Sequence, residues 1–134
     1  MLTRRHLLAA GLMLAAMPSA GFAKMHDYRP GLAEQAMRDG KRIMLIFGAD
    51  WCSTCRRQER IITDLRAASP RYDAELTLFR VDWDAYGTGD LARALAVPRR
   101  STLIAFKGEV ELARIVAGTR EAEIKALMDR ALNG

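Results

Sequence analysis

The feature that most constrains this chain is a Cys-Ser-Thr-Cys motif, Cys52 to Cys55, inside residues 41–59. Residues 41–59 have the pattern of an apolar strand, a short loop and a helix that starts at the motif. The motif contains both cysteines of the sequence. Such a pair at a helix start can form a disulfide reversibly with little backbone movement. The motif therefore predicts thiol–disulfide exchange.

Two other roles for the cysteine pair stay open at this point. A structural disulfide across so short a loop adds about 2 kcal/mol in the chain-entropy model, less than a longer loop would give. A structural zinc site needs a full tetrahedral set of ligands, whereas Cys52, Cys55 and His26 are the Cys and His ligands beyond the N-terminal segment. We expect no metal site within one chain and no organic cofactor. A module in which two chains share a metal through their dithiols is the alternative.

The N-terminus has the pattern of a signal peptide. Arg4 and Arg5 precede an apolar run rich in Ala, Leu and Met, and Gly-Phe-Ala at 21–23 places small residues at both cleavage-determining positions. The arginine pair resembles twin-arginine leaders, with an ordinary Sec leader as the alternative. The run contains Pro18 and is near the lower length limit for a spanning helix of about 20 residues. We therefore expect residues 1–23 to be a cleaved leader and residues 24–134 to form a periplasmic domain.

Length and charge narrow the function classes. A chain of 134 residues is long enough for one domain with a substantial core. The net charge of +5 falls to +3 without Arg4 and Arg5, and no segment alternates aromatic and basic residues. We expect a monomer that does not bind nucleic acid.

The remaining sequence predicts an α/β domain. Apolar periodicity and turn residues predict helices and strands in the order α, β, α, β, α, β, β, α. A helix between two apolar strands implies a parallel pair, and the hairpin turn at Gly108 adds antiparallel strands. We expect a mixed central sheet with helices on both faces. The predicted helices cover 32–38, 52–68, 91–96 and the C-terminal segment from about 120, and the strands cover 43–47, 76–81, 102–106 and 110–116.

This order of elements, with Trp51 and Cys52 opening the helix after the first central strand, resembles the thioredoxin fold across about residues 31–132. The segment 102–108 is similar to the strand that follows the active-site proline of that family. The Ala-Asp-Trp-Cys run and Glu59, seven residues after Cys52, most resemble the C-terminal periplasmic domain of DsbD-type electron transporters. The resemblance implies a redox-active disulfide between Cys52 and Cys55.

The chain departs from the family pattern at two positions. Ser101 stands where the family has a cis-proline, and Pro98 lies three residues too early to replace it. Ile46 stands where the family has a buried carboxylate six residues before the first cysteine. The resemblance implies that the loop at Ser101 faces the dithiol and pairs with the client peptide. The predicted substrate-binding residues are therefore Trp51, Arg100, Ser101 and Thr102.

The catalytic roles follow from position on the predicted helix. Cys52 lies where unpaired backbone N–H groups and the helix dipole favour a thiolate, so we expect it to be the nucleophile. Cys55, one turn further, is the predicted resolving cysteine and the more buried of the two. Glu59 lies on the same face and is predicted to accept a proton through water, with a solvated pairing to Arg56 or Arg60 as the alternative.

The direction of electron flow is predicted from what the chain lacks. Strong oxidants of the DsbA type resemble this fold with a large helical insertion, for which the distance from Ile62 to Leu76 leaves no room. We expect a reductase of protein disulfides, recharged by a membrane electron donor of the DsbD or CcdA type, with a disulfide-forming oxidase as the alternative. The Ser-Thr pair between the cysteines does not determine the potential within the family range of roughly −270 to −120 mV.

Overall fold

A computed structural model describes residues 25–134, so the predicted signal peptide lies outside the described residues. This part of the chain contains five strands and six helices. The strands are β1 (His26–Asp27), β2 (Arg42–Gly48), β3 (Thr77–Asp82), β4 (Thr102–Lys107) and β5 (Val110–Val116). The helices are α1 (Leu32–Arg38), α2 (Ser53–Ala68), α3 (Pro70–Glu75), α4 (Trp83–Tyr86), α5 (Asp90–Ala94) and α6 (Glu121–Asn133).

The strands form one mixed sheet in the order β1-β3-β2-β4-β5. β3 pairs with β1 and β2 in parallel, whereas β4 pairs with β2 and β5 in antiparallel fashion. The predicted parallel pair and C-terminal hairpin are thus confirmed. Gly108 has a φ of +57° in the turn between β4 and β5, which is the left-handed conformation that glycine adopts without a Cβ clash.

The central strand β2 is buried on both faces because its alternate side chains enter two different cores. Met44 and Ile46 pack with residues of α2, α3 and α6 on one face. Ile43, Leu45 and Phe47 pack with residues of α1 and α5 on the other. A continuous apolar strand is what two covered faces require. The predicted thioredoxin-type architecture, a mixed sheet with helices on both faces, is confirmed.

The structure contains three short elements that the sequence pattern did not indicate. β1 adds a two-residue edge strand beside β3. Pro70 ends α2, as predicted, but it also occupies the first turn of α3, where its missing N–H costs nothing. Asp82 accepts a hydrogen bond from the Asp84 N–H and so caps α4. The N-cap of α5 is Gly89, and the helix begins one residue before the predicted range of 91–96.

The sheet brings two segments that are distant in sequence together at one end of β2 and β4. Phe47, near the end of β2, pairs with Thr102 at the start of β4. The Ser101 N–H donates a 2.8 Å hydrogen bond to the Phe47 carbonyl. The loop before β4 therefore lies against the loop that leads from β2 into α2. In residues 25–134, no helix has the length and apolar character needed to cross a membrane.

Candidate active site

Cys52 is the N-cap residue of α2. Its backbone is extended, with φ −89° and ψ 113°, and its sulfur accepts a 3.3 Å hydrogen bond from the Cys55 N–H. The sulfur therefore takes the place that a serine or aspartate oxygen occupies at an ordinary helix N-cap. This position confirms the predicted location of the motif at the helix start, where the dipole favours an anionic sulfur.

Both thiols are buried, and their environments differ. Burial raises the pKa of Cys52, but hydrogen bonds from the Cys55 thiol, the Ser101 hydroxyl, the Cys55 N–H and Arg100 outweigh it and lower that pKa to about 6. Burial, together with the hydrogen bond toward the Cys52 sulfur, raises the pKa of Cys55. At neutral pH the pair therefore holds a Cys52 thiolate beside a protonated Cys55, the distribution that a nucleophile and a resolving thiol need.

Ser101 lies between the two sulfurs. Its Oγ is 3.3 Å from Cys52 Sγ and 3.0 Å from Cys55 Sγ, and the residue is fully buried. Its backbone has a φ of +63°, a conformation that non-glycine residues rarely adopt. The residue that stands at the family's proline position thus faces the dithiol, as the resemblance implied, but it presents a hydroxyl group there.

A buried glutamine on α2, which the sequence analysis did not single out, holds the Ser101 backbone. Gln58 Nε2 donates to the Ser101 carbonyl at 3.0 Å and to the Gly118 carbonyl at 2.9 Å. The Ala117 N–H also donates to the Ser101 carbonyl, at 2.8 Å. A sequence signal existed, because Gln58 lies three residues after Cys55 and four before Ile62 on the apolar face of α2. A polar side chain on such a face needs a hydrogen-bonding partner.

Glu59 forms an ion pair with a residue of β3. Its Oε1 accepts a 2.7 Å hydrogen bond from Arg80 Nε, and Arg80 Nη2 donates to Asp50 Oδ1 at 2.6 Å. The predicted alternative of a solvated pairing with Arg56 or Arg60 is wrong, because Arg80 reaches Glu59 across the end of the sheet. Glu59 and Cys55 both flank Gly48, where an added Cβ would lie 3.5 Å from Glu59 Oε1 and 3.4 Å from Cys55 Cβ.

The exposed surface beside the thiols is formed by an aromatic ring and an arginine. Trp51 is 56% exposed, and its Nε1 donates to Asp84 Oδ2 at 2.9 Å. The Arg100 Cζ lies 4.5 Å from the centroid of the Trp51 ring, within cation–π distance. Arg100 also lowers the pKa of the Cys52 thiol. The predicted substrate-binding residues Trp51 and Arg100 thus lie together at the opening to Cys52.

The other candidate residues are less accessible. Thr102 is fully buried, and its hydroxyl donates to the Arg99 carbonyl at 2.7 Å. Trp83 packs against the thiol-containing cluster and against Phe47. Tyr86 packs edge-on against Tyr28, with the ring centroids 5.1 Å apart. Of these two aromatic residues, Trp83 therefore packs against the cluster formed by Ala49, Cys52 and Cys55.

The acidic, cysteine and histidine side chains show no metal-binding arrangement in the described range. Across residues 25–134, no three of these side chains lie close enough together to hold a metal ion. The hydrogen-bond donors around the Cys52 sulfur are instead the Ser101 hydroxyl and the Cys55 N–H, which favour its thiolate form.

Comparison with known proteins agrees with this geometry. A family model described as "Thioredoxin-like" matches residues 24–102, more than half of the chain. Mitochondrial thioredoxin O2 of Arabidopsis thaliana is 33% identical over 94 residues, which are 69% of this chain and 56% of the relative. The chain thus spans little more than half the length of that relative.

Solved structures show the same similarity. The structure of Trxlp from Edwardsiella tarda superposes with a TM-score of 0.67 at 30% identity, covering 78% of this chain and 98% of the other. Thioredoxin O2 of Arabidopsis thaliana in its oxidized state superposes with a TM-score of 0.67 at 27% identity, covering 83% and 96%. With its mixed sheet, its Cys-x-x-Cys pair at the start of α2 and these relatives, the chain belongs to the thioredoxin-like family.

Proposed function

We propose that this protein is a periplasmic thiol–disulfide oxidoreductase that reduces disulfides in client proteins through Cys52 and Cys55. The observation that carries the proposal is the Cys52 thiol at the N-cap of α2, whose pKa is lowered to about 6 beside a Cys55 thiol whose pKa is raised. Such a pair supplies a thiolate for attack and a protonated thiol for the second step.

The reaction takes place in two exchange steps. The Cys52 thiolate attacks one sulfur of the client disulfide, forming a mixed disulfide and releasing the other client sulfur as a thiolate. The Cys55 sulfur then loses its proton and attacks Cys52 Sγ. The bond between Cys52 and the client breaks, and the electron pair leaves with the client sulfur. The protein dithiol is oxidised to a disulfide, and the client disulfide is reduced to two thiols by the same two electrons.

Glu59 is the proposed proton acceptor for Cys55, acting through water. The ion pair with Arg80 holds the carboxylate beside Gly48, on the side where Cys55 also lies. The family position for a buried carboxylate is occupied by Ile46, which lies in the apolar core. In this proposal Glu59 therefore takes the role of the carboxylate that the family has at the position of Ile46.

The client docks on the surface formed by Trp51 and Arg100 in this proposal. The backbone N–H and carbonyl of Ser101 already bond to Phe47, Gln58 and Ala117. In this proposal the client therefore does not pair with the backbone of Ser101, and Arg100 acts through its side chain. The exposed ring of Trp51 supplies an apolar contact at the rim.

Two observations support the reducing direction. The segment between α2 and β3 contains only the six-residue α3, which is too short for a helical cap of the DsbA type. The Cys52 pKa of about 6 is closer to the roughly 7 of thioredoxin than to the roughly 3.5 of DsbA. In an oxidising compartment such a reductant needs recharging, so we propose a membrane electron donor of the DsbD or CcdA type.

Trapping of mixed disulfides tests the proposal. In Cys55→Ser the mixed disulfide cannot be resolved, so client proteins should stay linked through Cys52, whereas Cys52→Ser should trap none. The reduction potential of the wild-type couple and the rate of insulin disulfide reduction should be measured on the same preparation. A potential near −120 mV, with oxidation of reduced clients faster than insulin reduction, would identify an oxidase and refute the proposed direction.

A further inference from the structure

We propose that Ser101 is a catalytic residue whose hydroxyl proton hydrogen-bonds to Cys52 in the first exchange step and to Cys55 in the second. This inference rests on the proposed dithiol chemistry and adds a residue to it. The hydroxyl keeps its proton throughout and changes only the sulfur to which it donates.

The geometry permits both hydrogen bonds from a single rotor. Ser101 Oγ lies 3.3 Å from Cys52 Sγ and 3.0 Å from Cys55 Sγ, so rotation about the Cβ–Oγ bond can direct the hydroxyl hydrogen to either sulfur. A hydroxyl group has one proton to donate and can accept a second bond at the same time. In the reduced protein, Ser101 donates to the Cys52 thiolate, to which the Cys55 thiol also donates.

The hydroxyl must change its acceptor because the negative charge is on a different sulfur in each step. Once Cys52 has formed the mixed disulfide, its sulfur carries no charge and its demand for a donor falls. The sulfur that must become anionic is now Cys55, in a buried site that disfavours charge. A hydrogen bond donated by Ser101 stabilises that anion as its proton leaves through water, and Cys55 can then attack Cys52 Sγ.

The backbone holds the hydroxyl in place while it rotates. The left-handed φ of +63° at Ser101 is maintained by hydrogen bonds from Gln58 and Ala117 to its carbonyl and from its own N–H to Phe47. A hydroxyl fixed at this position needs no movement of the chain to change acceptor. A proline at the same place could donate to neither sulfur.

Charged side chains also lie around the two cysteines, but they do not take the role of the Ser101 hydroxyl. Arg100, in the loop before β4, lowers the pKa of the Cys52 thiol, and Glu59 on α2 pairs with Arg80 on β3. Asp50, in the loop before α2, is also bonded to Arg80. Among the side-chain hydrogen bonds of residues 25–134, those of Ser101 are the ones in which a single oxygen lies within 3.5 Å of both sulfurs. Ser101 can therefore stabilise the anionic sulfur in both exchange steps.

The test compares reduced wild type with Ser101→Ala and Ser101→Gly, using a small aromatic disulfide whose released thiol is coloured. With protein in excess, attack by Cys52 releases the first thiol and resolution by Cys55 releases the second, and Cys55→Ser assigns the phases because it should show only the first. Both variants lack the hydroxyl, but glycine adopts a φ of +63° without strain and alanine does not. If the two variants give the same result, the effect comes from loss of the hydroxyl group and not from a change in backbone strain.

The two phases should respond differently. At about pH 8, resolution should slow about threefold to tenfold in both variants, because the thiolate becomes rarer while its intrinsic nucleophilicity partly compensates. The first phase should not slow at that pH, but the midpoint of its pH profile should move upward from about 6. An unchanged second phase, or a defect in Ser101→Ala that is absent in Ser101→Gly, would overturn the inference.

The same preparations separate failure of this inference from failure of the proposed function. If wild type reacts with the aromatic disulfide in two phases but does not reduce insulin, and both substitutions slow the second phase, the proposed function fails and the role of Ser101 stands. If wild type reduces insulin and resolution is insensitive to both substitutions, the role of Ser101 fails and the proposed function stands.

Discussion

Gln58 Nε2 donates a 3.0 Å hydrogen bond to the Ser101 carbonyl and thereby ties the apolar face of α2 to the loop that faces the dithiol. The same amide nitrogen reaches the Gly118 carbonyl at 2.9 Å. One buried side chain thus connects the helix that carries both cysteines with the segments before β4 and after β5. The shape of the site depends on this amide as well as on the motif itself.

Replacing Gln58 by Leu should destabilise the protein by about 1–3 kcal/mol, because the Gly118 carbonyl loses this donor while the side-chain volume is roughly kept. Urea unfolding of the reduced protein measures the change. Gln35→Leu is the matched control, since Gln35 lies on the exposed side of α1 and its bonds to Asp39 and Arg38 are at the surface. The control should change stability by less than about 0.5 kcal/mol. Equal effects of the two substitutions would show that the buried bonds contribute nothing specific.

Much of the fold could be predicted from the sequence because its strong patterns are local. The continuous apolar run of β2, the glycine turn at Gly108 and the cysteine at the start of α2 each have one favoured local structure. The position of Ser101 opposite the dithiol could also be predicted, from the family resemblance. In each case the residue's role depends on near neighbours or on a known template.

The parts that escaped prediction depend on pairings between distant segments. The ion pair between Glu59 and Arg80 exists because β3 lies parallel to β2 in a register that places Arg80 opposite Ile46, and no local pattern specifies that register. Gln58 finds its two carbonyl partners in loops far away in sequence. Short elements such as α3 have too few residues for periodicity to reveal them.

The lowered pKa of Cys52 predicts how the stability of the reduced protein changes with pH. Burial opposes ionisation, but the hydrogen bonds from Cys55, Ser101 and Arg100 outweigh it and bring the pKa from 9.0 to about 6. Ionisation of Cys52 therefore stabilises the folded state. This stabilisation is fully present above the unfolded value of 9.0 and is lost as the pH falls through about 6.

Reduced wild type should accordingly gain unfolding free energy relative to reduced Cys52→Ser between about pH 6 and pH 9. Urea denaturation at a series of pH values measures the difference, and the rate of alkylation of wild type should rise through the same midpoint near 6. A difference between the two proteins that does not vary with pH would mean that Cys52 has an ordinary pKa.

Replacing Glu59 by Gln should slow the resolution of mixed disulfides several-fold near neutral pH and leave the initial attack of Cys52 unchanged. The amide keeps a hydrogen-bonding oxygen for Arg80 but cannot accept the proton of Cys55. Asp50→Asn is the matched control, because Asp50 is the other carboxylate bonded to Arg80 and its side chain is 96% exposed. If Asp50→Asn slows resolution as much as Glu59→Gln does, the effect arises from Arg80 and not from proton transfer.

Replacing Trp51 by Ala should raise the KM for protein disulfides several-fold, with a smaller effect on a small aromatic disulfide, because an exposed ring at the site opening contributes contact area to a large partner. Trp51→Phe keeps the ring under Arg100 but removes the N–H that bonds to Asp84, so it should retain most of the affinity.

Val110→Ala controls for exposed apolar surface in general, since Val110 is 64% exposed and lies at the end of β5 that pairs with Lys107, away from Thr102 and the thiols. The KM values of all three variants are measured in steady-state reduction of insulin and of the aromatic disulfide. A KM that rises equally for both substrates in Trp51→Ala would indicate disturbed thiol chemistry, because a docking contact acts only on the client that is large enough to reach it.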